Sequence, residues 1–185
     1  MRVGVFGGEF DPPHLAHVAV ARAARDQLAL DRLLVVPAGM PPHRDASTTP
    51  AATRLRMAEL AFADERAIEV SSIEIDRGGT SHTLDTLEQL APLGDLFLIM
   101  GADQLASFDS WREPAAIRGL ATLVVAPRTG FDASGSGAVQ LEMAPVDLSS
   151  TDVRERLRNG DAEGLVPAAV LALIRAQGLY GGTPC

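Results

Sequence analysis

Two histidines three residues apart, His14 and His17, stand just beyond the glycines Gly7 and Gly8 and the prolines Pro12 and Pro13. Directly ahead of them runs the apolar stretch Val3-Gly4-Val5-Phe6. A strand, a glycine turn and histidines at a helix start are together the makings of a phosphate site. Glycines reach backbone angles that a Cβ forbids, and they let main-chain N–H groups approach an anion. A helix beginning near Pro13 puts both imidazoles on one face, close to the positive end of its dipole. There they can donate hydrogen bonds to a polyphosphate without holding a permanent charge in the empty site. Taken alone, the same residues also fit a strand, a turn and an amphipathic helix whose histidines merely sit at the surface.

A second set lies far along the chain, in Leu148-Ser149-Ser150-Thr151-Asp152-Val153-Arg154. Small hydroxyl residues ahead of a helix cap free N–H groups, and plain capping accounts for them. The same opening turn can instead hold a phosphate, with Arg154 reaching it through charge-assisted hydrogen bonds. Smaller clusters are Pro41-Pro42-His43-Arg44, Ser81-His82-Thr83, Gly101-Ala102-Asp103 and Trp111-Arg112. Thr83 and Asp103 are also ordinary helix caps, and His43 and Arg44 alone would be a solvated loop. Trp111 is the one tryptophan, which by itself is as well suited to a core as to stacking on a ligand.

The elements that must position these residues alternate between apolar runs and helical patterns. That alternation predicts an α/β fold with an open, mostly parallel sheet and helices on both faces. Strands are expected at Arg2–Phe6, Arg32–Pro37, Ile68–Val70 with Ile73–Ile75, Leu96–Met100, Thr122–Ala126 and Val139–Leu141. Helices are expected at His14–Leu28, Thr53–Ala63, Thr83–Leu90, Ala102–Phe108, Pro114–Arg118, Thr151–Asn159 and Pro167–Gln177. Two stretches have loop composition, Ala38–Ala52 and Arg128–Gly137. The first is expected to be mobile over the site, since such sheets bind ligands beyond the carboxyl ends of their strands.

With 185 residues, 46% of them hydrophobic and 22% charged, the chain suits one globular domain spanning 1–185, its end fraying from about residue 180. Its one cysteine, Cys185, leaves no internal disulfide and no cysteine-based metal site. No apolar run approaches a membrane span and Met1-Arg2 leads at once into a strand, so a cytoplasmic protein without membrane contact is expected. The formal charge is −8, and every basic side chain is arginine, because the chain contains no lysine. That excludes a Walker-type P-loop and Schiff-base chemistry, and it disfavours nucleic acid as a partner. Phosphates would have to be met by arginines, histidines and helix N-termini. Homo-oligomer formation stays open.

On these motifs, spread over nearly the whole chain, the sequence resembles the nucleotidyltransferase superfamily marked by an N-terminal histidine pair and a C-terminal Ser-Ser-Thr segment. Within it the chain is similar to bacterial nicotinate-nucleotide adenylyltransferase, the family that joins nicotinate mononucleotide to ATP, giving deamido-NAD and pyrophosphate. The resemblance implies a Rossmann-like fold, catalytic roles for His14, His17 and Arg154, and an ATP site of Gly7, Gly8, Phe10, His14, His17, Gly101, Asp103, Ser149, Ser150, Thr151 and Arg154. For the mononucleotide it implies His43, Arg44, Thr83, Trp111 and Arg112, with Trp111 stacking on the pyridine ring and the Thr83 and Arg112 region meeting its carboxylate. Mg2+ would arrive with ATP, with no protein metal site. Glu9 and Ala16 depart from the family pattern, which expects Ser or Thr and Gly there, and Glu9 sets a carboxylate beside a triphosphate. The alternatives are a nicotinamide-nucleotide or pantetheine-phosphate adenylyltransferase, the latter usually with Thr at the position of His14, or a non-catalytic nucleotide-binding module, which Glu9 alone favours.

Overall fold

In the computed structural model, which describes residues 1–41 and 49–181, six strands form one sheet in the order β3-β2-β1-β4-β5-β6. The strands are β1 (Arg2–Gly8), β2 (Arg32–Pro37), β3 (Ile68–Val70), β4 (Asp95–Gly101), β5 (Ala121–Ala126) and β6 (Val139–Gln140), and every pairing is parallel. The helices are α1 (Leu15–Gln27), α2 (Ala51–Phe62), α3 (Ile73–Arg77), α4 (Thr83–Leu90), α5 (Ala102–Ala106), α6 (Pro114–Leu120), α7 (Ser150–Arg158) and α8 (Ala168–Gln177).

Parallel strands covered on both faces must be apolar on both, which is why β1, β2, β4 and β5 read as unbroken hydrophobic runs. Alternate residues divide them between two cores. Phe6, Leu33, Val35, Phe97, Ile99 and Val124 point toward α1, α2, α7 and α8, where they meet Val18, Met57, Val153 and Ile174. Val3, Val5, Leu34, Val36, Leu98, Met100 and Val125 point the other way, onto Leu84 and Leu87 of α4 and Ile117 of α6. Helices on both faces were expected, and the sheet is more uniform than expected in being wholly parallel. No helix among the described residues is long and apolar enough to cross a membrane.

Strand order fixes where a ligand fits. β1 pairs with β2 on one side and with β4 on the other, so the chain winds outward in opposite directions from the β1–β4 seam. Beyond the carboxyl ends of those strands the connections part and leave a crevice.

Two local expectations are corrected. Ile73–Ile75 is not strand but lies in helix α3, although its alternating isoleucines have strand periodicity. β3 ends when the Ser71 N–H has donated to the Val35 carbonyl, 2.8 Å away, and the following turn is fixed by the Ser72 hydroxyl donating to Asp76, 2.6 Å. Nor is Tyr180 part of a frayed end, while residues 182–185 lie outside the described residues. The Tyr180 hydroxyl donates to the carboxylate of buried Asp11, and its ring packs on the first core beside Leu179. Burial, followed by the Asp11 hydrogen bond, pushes the Tyr180 phenol far above its ordinary range, so it stays a donor at any working pH. Of the stretch 38–52 expected to be mobile, residues 42–48, with His43 and Arg44, lie outside the described residues, and Ala51 and Ala52 already belong to α2.

Replacing Tyr180 by Ala removes a half-buried ring and a long-range hydrogen bond, and should lower the free energy of unfolding by about 1–3 kcal/mol. A urea unfolding midpoint equal to the parent's would show that the docked end carries no stability.

Candidate active site

β1 runs straight through Gly7 and Gly8, which pair with Val36 and Pro37 of β2. Neither glycine has a positive φ; the left-handed residue of the turn is Phe10, at φ 52°. The glycines are therefore required for space and not for their angles. A Cβ on Gly7 would meet nothing within 4 Å and would project into open crevice, while one on Gly8 would press on the Phe10 ring at 3.2 Å. Phe10, 1% exposed, drives inward and supports the His17 ring from below at a centroid distance of 4.9 Å.

α1 starts one residue later than expected, at Leu15, with His14 as its N-cap. The two imidazoles stack, with centroids 3.7 Å apart and planes 25° apart. The His14 backbone N–H donates to His17 Nδ1 at 3.2 Å, so the neutral His17 ring carries its proton on Nε2. His14 is 3% exposed, and its Nδ1 has no hydrogen-bond partner among the described residues. Burial lowers the His14 pKa from 6.5 to about 4, assisted by the nearby Arg128 cation and opposed by Asp152. Burial, with His14 beside it, also takes His17 well below 6.5. Both rings are thus neutral at pH 7, one a set donor and the other a buried imidazole awaiting a partner.

A cavity of about 450 Å³ opens over these rings, lined by Gly7, Gly8, Phe10, His14, His17, Gly101, Asp103, Ser149, Ser150 and Thr151. The structure gathers almost all of the expected ATP residues there. α7 presents its N-terminus to the same space. Ser149 caps it, accepting from the Asp152 N–H at 3.2 Å, and the Asp152 carboxylate answers the Ser149 N–H at 2.9 Å. The capping reading holds, and the capped helix still directs its dipole at the cavity, where it would suit an anion. Ser150 is turned onto the β1–α1 loop, where its hydroxyl donates to the Pro12 carbonyl at 3.0 Å.

Arg154 is the exception among the expected ATP residues. Its guanidinium donates to the Asp11 carbonyl at 2.7 Å and to the Thr151 hydroxyl at 3.1 Å, and it does not line the cavity. It braces the loop between β1 and α1 behind that cavity. The cation that does line the cavity is Arg128, which pairs with Asp103 at 2.8 Å. Sequence reasoning passed over it, although a charged residue just past β5 stands where an α/β sheet gathers ligand contacts. Asp103 is not a helix cap: at α5 the Gly101 N–H donates to the Gln104 side chain, 3.1 Å.

A second cavity, about 260 Å³, lies on the other side of β1. Thr83, Trp111 and Arg112 line it, as do Pro41, Ser81, His82 and the buried Glu74. Thr83 is the first residue of α4 and His82 its N-cap, so free N–H groups of that helix turn face the cavity. Trp111 rests on Phe108, a ring 1% exposed, with centroids 5.3 Å apart. Arg112 is held by Asp85 at 3.3 Å. Ser81 secures the facing loop by accepting from the Gly39 N–H at 2.9 Å. Glu74, which accepts from the Thr86 hydroxyl at 2.7 Å, was missed because its segment has strand periodicity.

Neutral burial of His14 gives a pH signature. A histidine whose folded pKa lies below its unfolded 6.5 contributes stability that is fully present above pH 6.5 and is lost as pH falls toward about 4. Thermal unfolding should drop between these limits in the parent and drop less in His14→Gln. Identical profiles would place the acid-sensitive group elsewhere.

A family model described as cytidylyltransferase-like matches residues 5–156. The chain is 41% identical to a probable nicotinate-nucleotide adenylyltransferase of Chromobacterium violaceum, covering 97% of this chain and 98% of the relative. It is also 41% identical to the protein of that description from Thermus thermophilus, covering 97% and 100%. Among solved structures, the nicotinic acid mononucleotide adenylyltransferase of Plasmodium falciparum complexed with NaAD superimposes with a TM-score of 0.83 at 18% identity, covering 97% of each chain. Two cavities flanking β1, one faced by stacked neutral histidines and two helix N-termini, thus coincide with sequence similarity over the full length: the chain belongs to the cytidylyltransferase-like family and, within it, to the nicotinate-nucleotide adenylyltransferases.

Proposed function

We propose that this protein transfers the adenylyl group of ATP to nicotinate mononucleotide, releasing pyrophosphate and forming deamido-NAD, a step of NAD biosynthesis. The observation that carries this reading is the shared wall. Gly7, Gly8, Glu9 and Gln104 line both cavities, so a triphosphate over His14 and His17 and a mononucleotide against Trp111 would bring their phosphates together there.

A phosphate oxygen of the mononucleotide attacks the α-phosphorus, and the bond to the β-bridging oxygen breaks with its electron pair passing to pyrophosphate. A phosphate monoester is already nucleophilic at neutral pH, so no general base is needed. Catalysis then rests on alignment and on donors aimed at developing charge. His17 Nε2–H serves the α- and β-phosphates, and His14 Nδ1, on taking a proton, would gain a partner in the same phosphates. The α7 N-terminus and Arg128 receive the outer phosphates. Asp103 exchanges its Arg128 contact for a ribose hydroxyl. ATP would bring its own Mg2+. Among the described residues no three His, Cys, Asp or Glu side chains converge to hold an ion, so phosphate and water would coordinate it and it would spread the charge of the leaving group.

At the second cavity the Trp111 face suits a flat, cationic pyridinium, and the free N–H groups at the start of α4 suit its carboxylate. His43 and Arg44 are proposed to reach phosphate from the segment outside the described residues.

The test is pyrophosphate release with ATP and either nicotinate or nicotinamide mononucleotide, with kcat/KM higher for the acid. His17→Ala should keep the fold and lose on the order of 100- to 1,000-fold in kcat. Near-parental turnover would remove His17 from the mechanism. Trp111→Ala should raise KM for the mononucleotide on the order of tenfold with KM for ATP little changed. Equal loss for both substrates would make Trp111 structural.

A further inference from the structure

We infer that Gln104 is a catalytic residue of this adenylyl transfer, its side-chain amide donating to the phosphates where the two cavities meet. The inference rests on the reaction proposed above and adds a residue to it. Any group that stabilises both the attacking phosphate and the α-phosphate must reach both cavities. Among the described residues, the four that line both are Gly7, Gly8, Glu9 and Gln104. The glycines have no side chain and Glu9 is a carboxylate, an acceptor that opposes phosphate. Gln104 is the one side chain of the four that can donate.

Its orientation is fixed by the backbone. The Gly101 N–H donates to Gln104 Oε1 at 3.1 Å, which identifies the oxygen and leaves the Nε2 amide as the outward group. Gly101 is the last residue of β4 and also lines the ATP cavity, so the amide is tied to the carboxyl end of a central strand. Nε2 has no hydrogen-bond partner among the described residues, and Gln104 is half-buried. Two N–H bonds on one nitrogen allow one to meet the incoming phosphate and the other a non-bridging oxygen of the α-phosphate. That pair of contacts fixes the distance between attacking oxygen and phosphorus, and it adds no cation that would hold the product. A donor of this kind matters in a chain without lysine, where the nearby Arg128 is already paired with Asp103.

Gln104→Glu separates this role from the cap. Glutamate keeps an oxygen for the Gly101 N–H, so the unfolding temperature should stay at the parent's value, but it replaces the donor with an anion. With ATP and nicotinate mononucleotide, kcat should fall on the order of 100-fold. Calorimetric affinity for ATP alone should change far less, because Nε2 engages fully only when both phosphates are present. Gln104→Met, similar in length and uncharged, should lose on the order of tenfold in kcat, which shows that lost donation and not only added charge is felt. Turnover by Gln104→Glu at the parent's rate overturns the assignment alone. Loss of turnover that follows loss of the fold in both variants overturns it in favour of a purely structural cap. A parent protein that releases no pyrophosphate overturns this assignment and the proposed reaction together.

Discussion

The loop from Glu9 to Pro13 is held by its carbonyl oxygens, and the rest of the site depends on that restraint. Arg54 of α2 donates to the Glu9 carbonyl at 2.9 Å, Arg154 of α7 to the Asp11 carbonyl at 2.7 Å, and Ser150 to the Pro12 carbonyl at 3.0 Å. Carbonyls in an irregular buried loop have no ladder to satisfy them, and each left unpaired would be costly. A guanidinium suits this task, since its five donors spread in a rigid fork. Arg54 uses all three of its nitrogens, reaching the Thr49 and Gly39 carbonyls as well as that of Glu9 while being only 2% exposed. Burial lowers its pKa, and Asp11, Glu9, Tyr180 and Glu74 lean the other way, so its charge is tolerated by acceptors and acids gathered around it.

With the loop held, the site can be positive in potential without being positive in charge. The chain carries −8 overall, yet the larger cavity is faced by the N-termini of α1 and α7, whose dipoles need no counterion, and by imidazoles kept neutral by burial. Arg128, the permanent cation lining that cavity among the described residues, is balanced by Asp103. Such a site costs little to keep empty and gains attraction as an anion enters. Glu9 fits the same account, because the segment that bears it offers its carbonyl to Arg54 and its carboxylate contributes to stabilising that buried cation.

Local chemistry was legible in the sequence and long-range restraint was not. The strand order of hydrophobicity, the histidine pair at a helix start and the Ser-Ser-Thr helix entrance each depend on neighbours within a few positions, and each is found where its pattern points. Of the two reasons offered for the glycines, the special angles are not used, and the room for close approach is what the folded crevice shows at Gly7. Arg154 was assigned a ligand because its pairing with the Asp11 carbonyl spans 143 positions, and Tyr180 was assigned to a frayed end because Asp11 is 169 positions away. Gln104 escaped notice for a related reason: its side chain is a local cap, and only the meeting of two cavities gives its other end a use.

Arg54 also explains how two substrates can be aligned by one short turn. The Gly39 carbonyl it holds belongs to the loop that Ser81 clasps at the mononucleotide cavity, while the Glu9 carbonyl belongs to the wall of both cavities. One rigid fork therefore ties the end of β2 to the end of β1, beside the wall that the two cavities share. A reaction driven by alignment is sensitive to errors on the order of 1 Å. Separate anchoring of the two loops would let them move independently by such amounts, and a common anchor turns their motions into one. The buried Arg54 cation thus serves geometry, fixing both loops from behind, and lines neither cavity.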